Sequence, residues 1–345
     1  MTKEKFVAEL ERALVVLGEL PVTAALLSHL ACALKKGEPD WWLRAERAWQ
    51  DRRFVAWTEA WSLFLAAVHA DVLGDPDSPL RRYFPSCGGT SEVDPTGVFA
   101  RYLSGLPRQF YSRLRQARRQ GFSASRAALW LPPAASFFAR RGLPFYLVEL
   151  DAGSGLNLAA DLGGPKSFDS SLIAARVGLD PEPLELREPE TKLWLAAGSP
   201  PEAVEELSRL KAAVEAASRR MDEEAAFIQL ARCPLIKAPA FLRRNIPVDD
   251  PDVGLLVFNI AASGRLDEAE YARFRCEMAA TLSPWGERGL WLEVELLRGQ
   301  PFATTVQATL RRPSPGGLLE LAAVQFDAVA DRVSYDAARA DRFLA

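Results

Sequence analysis

The sequence has few of the side chains that commonly mark a metal centre or a nucleophile. It has two histidines, His29 and His69, and four widely separated cysteines, Cys32, Cys87, Cys233 and Cys276. There is no C-x-x-C pair, and zinc sites draw clustered Cys and His ligands, so this spacing speaks against a metal site. The cysteines read as buried or incidental thiols of a reducing compartment. No run of about 20 apolar residues is present, so no membrane-spanning helix is expected. Met1-Thr2-Lys3-Glu4-Lys5 leads into an amphipathic pattern with no apolar signal core, and the expected location is the cytoplasm. Strong charge of one sign is also missing. A net charge of -3 argues against a nucleic-acid partner held by phosphate contacts. Arg113, Arg115, Arg118 and Arg119 cluster, and at helical spacing they form a solvated face. No G-x-S-x-G elbow is present, Ser154 lies in Gly153-Ser154-Gly155, and both histidines fall in the helical half.

What remains is an ordinary globular composition, 49% apolar and 25% charged, over 345 residues. That length suits one large domain or two. The first 140 or so residues read as helical. Phe6, Leu10, Leu14 and Leu17 form one helical face, Pro21 opens a second helix and Gly37 closes it. Trp41, Trp42 and Trp49 mark a third segment, and Phe54 to Leu73 a fourth with Trp57, Trp61, Phe64, Leu65 and Val68 on one side. A helix-packing core explains these aromatics better than a ligand cage does. Gly74 to Pro95 is turn-rich and reads as a surface loop or a lid, and Asp94-Pro95 then starts a helix. Further helices are expected over Phe110–Arg119, Ser125–Leu131 and Pro133–Arg141, with Gly142 as a stop.

At Pro144 the pattern changes to strands alternating with helices, the mark of a parallel α/β sheet. The expected strands are Phe145–Leu150, Leu172–Leu179, Ala225–Ala231, Val253–Ile260 and Gly289–Leu296. Helices are expected at Glu190–Ala197, Pro201–Arg219 and Asp267–Leu282. Ala303–Arg312 and Leu318–Asp327 flank Pro313-Ser314-Pro315-Gly316-Gly317 and read as a closing hairpin.

The chain is organised around one stretch. Phe145 to Leu150 is an apolar strand, Glu149 stands near its end, and Gly153-Ser154-Gly155 makes a tight turn into an expected helix over Leu156-Asn157-Leu158. Glycines there permit unusual backbone angles, and a helix start offers free N–H groups to a ligand. The next strand ends in Gly178-Leu179-Asp180-Pro181, and Asp180 falls 25 residues past Gly155. Nucleotide-binding α/β folds place a ribose-binding carboxylate at about that distance. Without a ligand, the same residues would make a tight strand–helix connection with a turn cap.

The turn together with Gly178-Leu179-Asp180-Pro181 resembles the first two motifs of class I S-adenosylmethionine-dependent methyltransferases. More narrowly, the chain resembles the bacterial family called domain of unknown function 2332. The carrying residues are Glu149 through Leu158, Arg176-Val177-Gly178-Leu179-Asp180-Pro181 with Pro183, and Trp194-Leu195. Leu255 to Asn259 and Gly289 to Glu293 also fit. The resemblance implies a Rossmann-like methyltransferase sheet of five parallel strands plus a C-terminal hairpin, over 143–345, preceded by an all-helical part over 1–142. It implies S-adenosylmethionine as cofactor, with Glu149, Asp151, Gly153, Ser154, Gly155 and Asn157 on the methionine half and Asp180 on the ribose. Two departures stand out. Asp151 replaces the family's first motif glycine, and Gly121 to Arg126 keeps an arginine but lacks the family's amide–acid pair.

Asp151 bears on the choice of ligand. Two like charges at roughly 4 Å repel by about 4 kcal/mol at an effective dielectric of 20, which disfavours a pyrophosphate cofactor such as NAD or FAD. A sulfonium and an ammonium suit a carboxylate better. Asn259, at the end of the fourth strand, is the catalytic candidate, although it lacks an N-P-P-Y context. Glu293 and Glu295 are strand-end carboxylates that fit either a base or an ion pair. The expected activity is methyl transfer to a small molecule, peptide or protein. The other reading is a methyltransferase-like binding or scaffold protein without activity, which Asp151 and the scarcity of bases favour.

Overall fold

The computed structural model describes residues 1–54, 56–117, 128–163, 168–296, 305–327, 332–335 and 337–344. The chain forms two compact units, Met1–Phe122 with Pro189–Lys211, and Ser123–Glu188 with Ala212–Ala345. The expected changes at Gly121 to Arg126, together with Arg118 and Arg119, lie outside the described residues.

The first unit is helical. Its helices are Lys3–Leu17, Pro21–Lys36, Asp40–Ala48, Glu59–Gly74, Thr96–Ser104, Arg108–Gln116 and Pro189–Ala197. Pro21 sits in the first turn of its helix, where a missing N–H costs nothing. The fourth helix begins at Glu59 and excludes Phe54. Phe6 packs on Trp42 at 5.2 Å and on Trp49 at 5.4 Å, and Phe64 meets Trp41 at 5.5 Å. These rings are core, as their helical spacing requires.

The turn-rich stretch after Gly74 is anchored. Leu80, Tyr83 and Phe84 are buried, and a Cβ on Gly89 would lie 2.4 Å from the Arg81 carbonyl oxygen. His69 ties this stretch to the later chain piece. Its Nδ1 lies 2.9 Å from the Ser199 carbonyl and its Nε2 lies 2.8 Å from Ser86 Oγ. Glu202 adds a second tie, accepting from Thr23 N at 2.7 Å and from Thr23 Oγ1 at 2.8 Å. Replacing His69 with alanine strands two polar partners, and urea melts are expected to show a loss of about 2–4 kcal/mol.

The second unit is built on one mixed sheet. Among the described residues it holds eight strands: β1 Phe145–Leu150, β2 Ile173–Asp180, β3 Gln229–Arg232, β4 Gly254–Ile260, β5 Gly289–Leu296, β6 Thr305–Ser314, β7 Gly317–Asp327 and β8 Arg332–Tyr335. Their order is β3-β2-β1-β4-β5-β6-β7-β8. The first five are parallel, and β6 to β8 add an antiparallel meander at the β5 edge. Strand placement reverses direction between β1 and β4, which makes that junction a topological switch point.

Side chains alternate between sheet faces. Val148, Leu150, Val177, Leu179, Leu255, Val257 and Trp291 share one face. The helices Ala238–Asn245 and Glu268–Leu282 cover it through Leu242, Phe274, Met278 and Leu282. The second helix starts with a reciprocal Asp267–Glu270 capping box. On the other face Phe138 stacks on Phe145 at 4.4 Å and Trp130 on Phe258 at 6.4 Å.

Several expectations need correction. The segment after the glycine turn is a 3-10 helix, Leu156–Gly163, where an α-helix was expected. The third strand starts four residues late, at Gln229, because Ala225 and Ala226 fall in the turn before it. Pro201 precedes its helix, which runs Val204–Glu223. The expected helix Pro133–Arg141 is Leu131–Phe137 followed by a 3-10 turn at Ala139–Arg141. β8 and the helix Ala337–Leu344 were not foreseen, since their short polar-rich segments carry little periodicity.

Candidate functional site

The turn after β1 is bent by three residues with left-handed backbones, Asp151 at φ 63°, Gly153 at 58° and Gly155 at 73°. Aspartate tolerates this region better than most side chains, which lets Asp151 stand where a glycine was expected. The N–H groups of Asp151 and Ala152 donate to the Leu179 carbonyl at 2.7 and 3.1 Å, folding the turn onto β2. Asp180 completes the fold-back. It is fully buried, its Oδ2 accepts from Gly153 N at 2.8 Å, and its Oδ1 accepts from Glu182 N at 2.7 Å. The space beside Gly155 is filled by protein, because a Cβ there would meet Ile228 Cγ2 at 2.9 Å.

Glu149 lies on the same face. It is 2% exposed, and Asn157 Nδ2 donates to its Oε1 at 2.6 Å. Its Oε2 is buried with no hydrogen-bond partner among the described residues. Burial raises the Glu149 carboxyl well above the usual carboxylate range, and the nearby Asp151 and Asp180 add to the rise. Trp130 Nε1 donates to the Asn157 carbonyl at 2.9 Å, which steadies the residue that holds Glu149. Ser154 is buried within the turn.

Asn259 stands apart from this group. It pairs in register with Leu150, so it shares the opposite sheet face. There it is fully buried, donating from Nδ2 to Glu295 Oε1 at 2.9 Å and accepting from Trp291 Nε1 at 2.8 Å. Glu293 accepts from Ser263 Oγ at 2.6 Å, Tyr271 Oη at 2.7 Å and Arg311 Nη1 at 2.6 Å. Glu295 accepts from Ser263 N at 2.7 Å and Gly264 N at 3.0 Å. Burial and the neighbouring Glu293 push the Glu295 carboxyl up to about 7. These carboxylates tie down the loop after β4, whose Ala261 has a φ of 54°.

That loop returns to the first group. Arg265 Nη1 lies 2.6 Å from Asp151 Oδ2, bridging the two sides of the switch point. Arg265 has no sequence signal pointing to it, since its partner lies 114 positions earlier. Sequence reasoning also missed the Ser86–His69 pair. A serine on a histidine held by a carbonyl has the geometry of an activated nucleophile. However, the N–H groups of Ser86, Cys87, Gly88 and Gly89 donate to the carbonyls of Pro201, Phe84, Pro85 and Phe84. No amide beside Ser86 is left for an oxyanion, so the pair is a structural tie.

A protein-family model described as "Uncharacterized protein conserved in bacteria (DUF2332)" matches residues 17–167 and 162–328. The chain belongs to this family. The match includes the glycine turn, Asp180, Asn259 and Arg265, and β8 lies beyond it. No curated protein matches the chain. No described helix is long and apolar enough to cross a membrane, and no described cluster of three His, Cys, Asp or Glu could hold a metal.

Proposed function

We propose that the switch point between β1 and β4 binds S-adenosylmethionine, and that the protein transfers its methyl group to a small molecule, peptide or protein. The observation that carries this reading is the orphaned Glu149 Oε2 at the end of β1, beside Asp151 and Asp180. Three carboxyl groups at one strand edge suit a ligand with an ammonium and a sulfonium better than one with a pyrophosphate. The strand order supports a Rossmann-like sheet, in which ligands bind outside the carboxyl ends at the switch point. In this reading Glu149 and Asp151 meet the ammonium, and Asn157 orients Glu149. Gly153, Ser154 and Gly155 shape the turn, and Asp180 holds that shape from β2 on the ribose side. When bound, the cofactor supplies an activated methyl group, and the chain's task is positioning. Asn259 serves as a positioning residue through Glu295 and the loop it holds.

Burial favours the neutral form of the Glu149 carboxyl, so a cationic ligand that draws out its charged form displaces a proton to solvent. Calorimetric titration in two buffers of different ionisation enthalpy tests this. S-adenosylmethionine is expected to bind with release of a proton and with affinity rising with pH, whereas NAD is silent. Glu149→Gln is expected to remove the proton release and weaken binding about tenfold or more. Silence of well-folded wild type toward S-adenosylmethionine and S-adenosylhomocysteine sinks the reading. A scaffold role is the second reading, favoured by the Asp151–Arg265 ion pair that joins the two sides of the switch point. In Asp151→Gly, gained affinity marks a degenerate site, and lost affinity marks a site adapted around the carboxylate.

A further inference from the structure

The switch point has acid on one side and a cation on the other. Glu149 and Asp151 come from the end of β1 and the turn that follows it. Arg265 comes from the loop after β4, and its side chain is 35% exposed against 9% for Asp151. The loop that carries the arginine is pinned through its main chain. Glu295 holds the two preceding amides, Ser263 N and Gly264 N. Ala261 N donates to the Val294 carbonyl at 2.8 Å, and Arg265 N to the Ala262 carbonyl at 3.3 Å. Gly264 permits the closeness, since a Cβ there would come within 3.2 Å of Glu295 Oε2. Glu295 is thus a buried carboxylate whose effect is to aim a cation at the turn after β1.

We propose that Arg265 is a specificity-determining residue of this site and reads the carboxylate of a ligand's α-amino-acid end, a role that rests on the cofactor reading above. An α-amino acid carries an ammonium and a carboxylate on one carbon. The acids of the β1 side meet the first, and the guanidinium from the loop after β4 meets the second. A guanidinium presents its N–H donors in a fixed fork that matches a carboxylate. Arginine at this position therefore selects a zwitterionic end over a bare alkyl end. Asp151 keeps the fork aligned and offsets its charge before the ligand arrives.

The test compares two neutral thioethers that differ only at that end, S-adenosylhomocysteine and 5′-methylthioadenosine. Affinities are measured by calorimetry on full-length wild type, Arg265→Gln and Arg265→Lys, with melting curves confirming the fold. Wild type is expected to prefer S-adenosylhomocysteine by about 30-fold or more, in keeping with a charge-assisted bidentate pair. Arg265→Gln is expected to shrink that ratio severalfold, to the part that the ammonium contacts supply, and Arg265→Lys to leave an intermediate value because it keeps charge and loses the fork. A ratio that survives in both variants overturns the role of Arg265 and leaves the cofactor reading standing. So does a wild type that binds both compounds equally. A wild type that binds neither overturns both.

Discussion

Arg176→Ala is expected to destabilise the protein by about 3–5 kcal/mol in guanidinium melts, the range for breaking a buried ion pair from one side. Arg176 is 5% exposed on β2. Its Nη1 and Nη2 meet Asp161 Oδ1 and Oδ2, both at 2.7 Å, and its Nη1 also donates to the Leu158 carbonyl. The guanidinium stacks 4.6 Å from the Phe227 ring. Removing it leaves the Asp161 carboxylate buried without its cation, and unties the 3-10 helix that follows the glycine turn. The double variant Arg176→Met with Asp161→Leu separates pair from charge. It is expected to recover most of the loss, because desolvating two ions offsets much of their attraction. Equal losses in the single and double variants would show that the packing of this corner, not the stranded charge, dominates.

Two buried groups of the helical unit are expected to set opposing pH dependences. Glu9 is 2% exposed, neither of its oxygens has a hydrogen-bond partner among the described residues, and Lys5 Nζ lies 3.9 Å from Oε1. Burial raises its carboxyl to about 7. The folded state therefore holds a proton that the unfolded state releases near the ordinary 4.5, and stability falls as pH rises from 4.5 to 7. His69 runs the other way. Burial lowers it from 6.5 to about 4, so the unfolded state takes up a proton first and stability falls as pH drops through that window. Over the shared interval the two slopes cancel. Measured against wild type at each pH, Glu9→Gln is expected to gain about 2 kcal/mol of stability between pH 4.5 and 6.5. The same variant is expected to be more stable than wild type at pH 8, by about 1–3 kcal/mol. Urea melts across the range measure both. Parallel profiles for wild type and Glu9→Gln would show that Glu9 reaches water.

The parts of the fold that read from sequence are those with strong local pattern. β1 and β5 appear over their observed bounds, because unbroken apolar runs between turn signals have few other solutions. Glu149, Gly153 and Asp180 were legible as one group for the same reason, each sitting at a strand end or turn. Their detailed use was not. Asp180 holds the turn through two backbone amides, and Gly155 makes room for Ile228. Asn259 reads as a catalytic candidate at the end of the fourth strand, yet its register with Leu150 puts its side chain on the face opposite Glu149. Arg265, Arg311 and Ser199 find partners far away in the chain, and polar pairing at such distances leaves no periodic trace.

The helical unit is made of two pieces of chain, and that has a consequence for its birth on the ribosome. The residues up to Phe122 emerge first, but the unit is complete only when Pro189–Lys211 arrives. At ordinary elongation rates that wait is on the order of ten seconds, long against helix formation. During it His69 lacks the Ser199 carbonyl and Thr23 lacks Glu202, while β1 and β2 are already being made. The part of the protein that is synthesised first is thus finished only after two strands of the other unit have been made, and a nascent chain halted before residue 189 carries an unsealed helical face for chaperones to cover.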